Sequence, residues 1–347
     1  MLRRLKIGLC LLFSLLLPAA GTAGCARAAA GQSVTWLDLF DTVTTVKAYN
    51  VDGERFAADA ERLHTFLTGL HRLCDIYTTY PDVPNLAALN AAAGGGPLAL
   101  DRQLLELLSF GLEVCAQTDG RVNIVSGALL APWHDARTAA AEDPARAALP
   151  DDATLSAAAR HIDPTSLVVD LTAGTAQLTD PLARVDVGAL AKGFAAERAA
   201  EFVTEELGWT NALLDLGGNV RTVGGKPGGA PFVIGVQDPD GEGYLLTVGV
   251  HDAAVVTSGD YQRFFTVDGR RYAHIIDPAT RYPAAFMRAV TVICPDSAMA
   301  DALSTALFLL TPEDGANWVE QLSGVEAVWI KNDGTLAYSS GFSAYLT

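Results

Sequence analysis

Positive charge is scarce in this chain: 24 Lys and Arg stand against 40 Asp and Glu, a net charge of −16. Such a surface repels nucleic acid and anionic lipid. An anionic substrate would need a bound cation or a local cluster of N–H donors. Cysteine is scarce too. Of five, Cys10 and Cys25 lie near the N-terminus, which leaves Cys74, Cys115 and Cys294. That odd number fits no metal-ligand spacing, and Cys115 and Cys294 sit in apolar patterns. Buried free thiols are therefore expected, not a disulfide framework. The apolar run Ile7 to Leu17 covers only about a dozen residues and is too short for a permanent membrane helix. No GxGxxG or GxxxxGK[ST] follows a predicted strand, so the common nucleotide folds lack their signature.

What is present is a globular composition. Half the 347 residues are hydrophobic and 18% are charged, enough for one large domain or two intimate lobes. Arg3, Arg4 and Lys6 ahead of the apolar run, then Pro18 and small residues up to Cys25, read as an export signal over residues 1–24. A Cys after small residues fits lipoprotein processing with Cys25 lipidated, although Thr22 stands where that pattern prefers Leu. The alternative is cleavage near Ala28–Ala30 and release. Removing residues 1–24 takes three positive charges and no negative ones, moving the net charge to −19. A small-residue tether is expected over 25–35 and one domain over 36–347.

Along that domain, TVTTVKAY at Thr42–Tyr49 predicts a strand. Ala60, Leu63, Leu67, Leu70 and Cys74 recur at helical steps over Glu54–Cys74. On that helix His64 and His71, seven apart, read as surface or capping residues. A helix capped by Asp101 runs to near Gly120. Residues Asp135 to Pro150, Ala-rich and polar, read as a variable excursion. A helix over Leu190–Leu207 stops at Gly208. Short β-branched runs then follow at hairpin spacing, with a helix at Ser297–Leu310 and another opening at Thr311-Pro312. Helices mixed with hairpin-spaced strands predict an α+β fold rather than a parallel doubly wound sheet.

Four islands interrupt the apolar pattern. In Val185-Asp186-Val187-Gly188-Ala189-Leu190-Ala191-Lys192-Gly193 an acid precedes a glycine turn and a lysine in the first turn of a helix. Free N–H groups there can receive phosphate oxygens, or the segment is a structural βα turn. Asp215-Leu216-Gly217-Gly218-Asn219 lets backbone approach a ligand, or makes a tight hairpin. Thr257-Ser258-Gly259-Asp260-Tyr261 and His274-Ile275-Ile276-Asp277-Pro278 lie as if on two ends of one hairpin. His274 is either a satisfied core residue or a general base. Asp301 and Thr305, at i and i+4, share a helix face. Carboxylate, hydroxyl and backbone carbonyl are hard oxygen donors that suit Mg²⁺ and not Zn²⁺.

Together VDVGALAKGFAAERAA, LLDLGGNV, TSGDYQRFF, HIIDPATRYP and ADALSTALF, in this order, resemble the ApbE family of FAD:protein FMN transferases. FDTVTT and TDGRVNIVSGALLAPWHDA fit it as well, and the resemblance covers nearly all of residues 36–345. It implies an ApbE-like fold of mixed, mostly antiparallel sheets with flanking helices and a flavin-nucleotide cleft between lobes. It also implies that Asp301, Thr305 and the Ala189 carbonyl hold Mg²⁺, and that Asp186 and Lys192 contact FAD. Phe40, Tyr80 and the stretch Gly120, Arg121, Val122 and Asn123 would touch the flavin nucleotide. His274 would be the catalytic base with Ile275 beside the ligand, and Asp301 and Lys192 would share in catalysis. The reaction implied is Mg²⁺-dependent transfer of the FMN half of FAD to a Thr or Ser hydroxyl of an acceptor flavoprotein, with release of AMP. With a lipid anchor it would act at the extracytoplasmic membrane face, without nucleic acid. Two alternatives stand beside it: an FAD pyrophosphatase giving FMN and AMP, and a non-catalytic flavin-binding lipoprotein. Arg281 departs from the family's DPxTGxP turn, where Gly is usual, so this turn is expected to avoid positive φ.

Overall fold

The structure, a computed structural model, describes residues 31–347. The expected export signal and Cys25 lie outside the described residues. The tether expected over 25–35 ends sooner, because Gln32–Leu39 is already a strand. Its alternation turns Val34 and Trp36 onto the core while Ser33, Thr35 and Leu37 face out, a period-two pattern that a structureless tether would not show.

The main sheet has eight strands: Gln32–Leu39, Thr42–Ala48, Ala212–Leu216, Asn219–Val223, Ala254–Gly259, Met287–Cys294, Glu326–Lys331 and Leu336–Tyr338. They lie side by side in chain order. Every neighbouring pair is antiparallel. The α+β expectation holds, and the sheet is a meander whose connections carry the rest of the molecule. Residues 49–211 form the largest connection. It includes the helix Gly53–Cys74, whose buried Phe56, Ala60, Leu63, Leu67 and Leu70 follow the predicted stripe. It also holds the helices Arg102–Gln117 and Gly127–Glu142, a small three-stranded sheet, and the helix Ala191–Glu205. The helix Ser297–Phe308 lies against Ala191–Glu205 and the strands Ala254–Gly259 and Met287–Cys294. Its small residues, Ala298, Ala300, Ala302 and Ala306, are buried, so this helix is enclosed nearly all round. No helix of the described residues is long and apolar enough to cross a membrane.

Two expectations about loops need correction. Residues 135–142 are no excursion, because they complete the helix Gly127–Glu142. Alanine is the strongest helix former, and Trp133 in the preceding turn anchors the segment by packing against Phe265, Tyr272 and Tyr282. Arg281 does not avoid positive φ, which stands at +69°. Three contacts over-determine this turn. The Arg281 N–H donates to the Asp277 carbonyl at 2.7 Å. Its own carbonyl accepts the Trp133 indole N–H at 3.1 Å, and its guanidinium donates to the Ser156 hydroxyl.

Candidate active site

The turn before Ala191 sets the first side of the site. Asp186 accepts the Gly188 N–H at 2.8 Å, and the Val187 carbonyl accepts from Leu190 and Ala191, which starts the helix. Lys192 therefore falls in the first turn, where free N–H groups and the helix dipole favour negative charge. Asp301 on the neighbouring helix uses that preference: its Oδ2 accepts the Gly193 N–H at 2.8 Å. Only glycine permits the contact. A Cβ at 193 would lie 2.4 Å from both Asp301 Cβ and the Ser297 carbonyl. Gly193→Ala should force the two helices apart and lower stability in urea unfolding by about 1–3 kcal/mol, on the scale of an overpacked core.

The glycine pair of the second island makes a tight hairpin, with φ +63° at Gly217 and +90° at Gly218, and Asp215 Oδ1 accepts the Gly218 N–H at 2.9 Å. This hairpin delivers Asn219 into the space between the two charged groups. With its amide oriented to pair both ends, Asn219 Oδ1 accepts from Lys192 Nζ at 2.9 Å and Nδ2 donates to Asp301 Oδ1 at 3.2 Å. The tight-hairpin reading of this island holds.

Burial shapes the charges of this cluster. Burial pushes the Asp301 carboxyl up to about 6, with Lys192 and the Gly193 N–H pulling the other way. Lys192 is pushed down by burial, opposed by Asp301. Asp215 is raised by burial, against the Gly218 N–H and Lys192. A carboxylate kept this dry, with one ammonium near it, favours a further cation. Asp301, Thr305 and Ala189 all line one cavity, and carboxylate, hydroxyl and backbone carbonyl are hard oxygen donors. Among the described residues no group of three or more His, Cys, Asp or Glu is placed to hold a metal. A site with one carboxylate suits an ion that keeps water and takes substrate phosphates as its remaining ligands, which is the habit of Mg²⁺.

That cavity, about 700 Å³, gathers most of the predicted residues. Phe40, Arg121, Val122, Asn123, Asp186, Ala189, Lys192, His274, Ile275, Asp301 and Thr305 line it. Tyr80 and Gly120 do not. The Tyr80 hydroxyl donates to Asp75 at 2.9 Å and its ring takes the Arg72 guanidinium at 4.4 Å, so it braces the loop behind the wall. Asn123 spends its amide inside the protein, donating to the Ile162 carbonyl and accepting the Val125 N–H, so it shapes the cavity wall.

His274 follows the hairpin Phe264–Val267/Arg270–Ala273. Its backbone N–H and its Nδ1 both meet the Arg263 carbonyl, at 3.0 and 3.1 Å. A carbonyl only accepts, so Nδ1 carries the hydrogen and Nε2 keeps the lone pair. Burial, then the guanidinium groups of Arg263 and Arg137, push this imidazole down to about 3.

Several contributors escaped sequence reasoning. His71, read as a surface or capping residue, accepts the Phe40 N–H at 3.1 Å and packs edge-on against the Phe40 ring. Phe40 and Asp41 both have positive φ, and this contact helps hold the strained turn that turns Phe40 to the cavity. Arg137, Arg263, His134 and Tyr77 also reach the cavity wall. The i, i+4 step from Trp133 was the one signal that could have found Arg137.

The model of the ApbE family matches residues 40–329. A FAD:protein FMN transferase of Treponema pallidum is 35% identical over 322 residues, covering 87% of this chain and 85% of that protein. A protein of the same name from Klebsiella pneumoniae is 29% identical, covering 78% and 82%. Among solved structures, the ApbE protein of Thermotoga maritima superposes with a TM-score of 0.79 at 26% identity, over 92% of this chain and all of that one. The apo flavinyl transferase ApbE of Pseudomonas stutzeri gives 0.77 at 25%, over 93% and 98%.

Proposed function

The chain belongs to the ApbE family, and on that premise we propose that it is a FAD:protein FMN transferase that uses Mg²⁺ and a Thr or Ser hydroxyl as acceptor. The observation that carries this reading is the convergence of Asp301, Thr305, Ala189 and Lys192 on the cavity that also holds His274.

In the reaction, the acceptor hydroxyl attacks the FMN-side phosphorus of FAD. The new P–O bond forms as the bond to the AMP phosphate breaks, and AMP leaves. Asp301, Thr305 and the Ala189 carbonyl would hold Mg²⁺, which when bound supplies charge neutralisation at the phosphate oxygens. Lys192, held by Asn219, adds a fixed positive charge toward the phosphates. His274 Nε2 takes the hydroxyl proton, its tautomer fixed by the Arg263 carbonyl. Phe40 and Ile275 offer apolar surface to the flavin end.

Incubation of an acceptor domain with this protein, FAD and Mg²⁺, followed by mass spectrometry, should show the acceptor heavier by one FMN less water, and EDTA should abolish the increase. Free FMN released without acceptor, and no adduct with it, would mark a hydrolase instead. We further propose that Cys25 carries a lipid anchoring the protein at the extracytoplasmic membrane face, supported by the basic and apolar run before it. Fatty-acid labelling that persists in Cys25→Ser would overturn the anchor.

A further inference from the structure

Two arginines meet in the cavity of an otherwise acidic chain, and neither forms an ion pair with a carboxylate among the described residues. Arg137 projects from the helix Gly127–Glu142, and Arg263 from the loop leading into the strand Phe264–Val267. Trp133 locks the two elements together. It lies one turn before Arg137, packs on Phe265 and Tyr272 of the hairpin, and donates its indole N–H to the Arg281 carbonyl. The two elements that carry the arginines are therefore held in a fixed relation by the fold. Both arginines line one cavity, where burial and then the Arg263 guanidinium lower Arg137, with Tyr77 and Asp186 opposing. Asp186 shares the cavity but pairs with neither arginine, and part-buried like charges without an ion pair are costly unless an anion arrives.

We propose that Arg137 and Arg263 form an anion seat that grips a phosphate of the bound dinucleotide, and that this anion converts His274 into an effective base. The planar forks of arginine match phosphate oxygens two by two, which a lysine cannot do. The coupling to His274 follows from position. The carboxylates of Asp186 and Asp301 also line the cavity of this imidazole, its own Nδ1 rests on the Arg263 backbone, and after burial Arg263, Arg137 and Lys192 lower its proton affinity. Without an anion these groups hold the ring neutral and weakly basic. A phosphate between the two guanidinium groups cancels their field and raises the proton affinity of Nε2. The base thus becomes competent when the dinucleotide is seated, and water alone meets a poor base. The identity of the anion rests on the flavin-transfer reading; the existence of the seat does not.

The test uses the full-length protein and inorganic pyrophosphate as probe, without metal or acceptor. The His274 imidazole, assigned by comparison with His274→Gln, is titrated by NMR. In the wild type its pKa should rise by about one unit or more when pyrophosphate is added. In Arg137→Gln/Arg263→Gln it should start higher and show no response. Each single Gln variant should weaken pyrophosphate and FAD binding by about tenfold to a hundredfold in calorimetry, with Lys at either position restoring part of it. Circular dichroism establishes that each variant is folded, and because Arg263 holds His274 through its carbonyl, the side-chain change leaves that contact in place. An unresponsive His274 in the wild type overturns the coupling. Unchanged pyrophosphate and FAD affinity in the double variant, with a raised KM for the acceptor, overturns the phosphate seat and gives the pair to an acidic acceptor. Loss of transfer in a protein that still binds pyrophosphate through this pair would instead strike at the flavin-transfer reading.

Discussion

Asp301→Asn should cut FMN transfer by at least about a hundredfold, the scale seen when a preorganised electrostatic group is lost. The amide is nearly isosteric: its oxygen can still accept the Gly193 N–H that Asp301 Oδ2 now receives at 2.8 Å, while its NH₂ gives up the Asn219 contact at 3.2 Å. What it removes is the one carboxylate of the proposed donor set. The carboxylate is also a liability to the fold: burial holds it up near 6, so ionising it in the folded protein is unfavourable. Relief of the buried charge opposes loss of the Asn219 hydrogen bond, so without metal Asp301→Asn should melt within a few degrees of the wild type, at about 2–4 °C per kcal/mol. Adding Mg²⁺ with FAD should raise the wild-type melting temperature and leave the variant unmoved. Transfer at a near wild-type rate would remove Asp301 from the chemistry, and a variant that melts far lower would make it a structural residue.

What the sequence made legible was periodic or local. The stripe Ala60, Leu63, Leu67 and Leu70 is buried as expected, because one face of an amphipathic helix has nowhere else to go. Asp301 and Thr305 share a cavity wall because a spacing of four fixes it in any helix. The antiparallel order followed from short strands at hairpin spacing. The illegible part depends on contacts across the chain. Asn219 becomes informative only when the hairpin at Gly217-Gly218 meets Lys192, 27 positions earlier, and Asp301, 82 positions later. His71 looks like an idle surface residue until the turn at Phe40 folds onto it. Arg281 was expected to refuse positive φ on local sterics, and Trp133, Ser156 and Asp277 overrule that preference with three hydrogen bonds. Arg137 hid in an alanine-rich run that was read as a loop by its composition, although alanine is what a helix prefers.

Replacing His274 should separate binding from chemistry. In His274→Ala, kcat for transfer should fall by about a hundredfold to ten-thousandfold, the range for loss of a general base. FAD affinity should stay within about threefold, because the phosphates are received by Lys192, the two arginines and the cation site and not by His274. The variant also has a stability signature whose sign is fixed by linkage. The folded imidazole is held down near 3 by burial and by Arg263 and Arg137, against an ordinary value of 6.5. Between those two pH values the unfolded chain binds the proton that the folded one refuses. The wild type therefore loses stability as pH falls from about 6.5 toward 3, and His274→Gln should flatten that slope in urea unfolding. A base that acts in transfer and a histidine that merely packs predict the same slope, so the kinetic split decides between them. If FAD binding collapses together with kcat, His274 shapes the pocket; if kcat alone falls, it moves the proton.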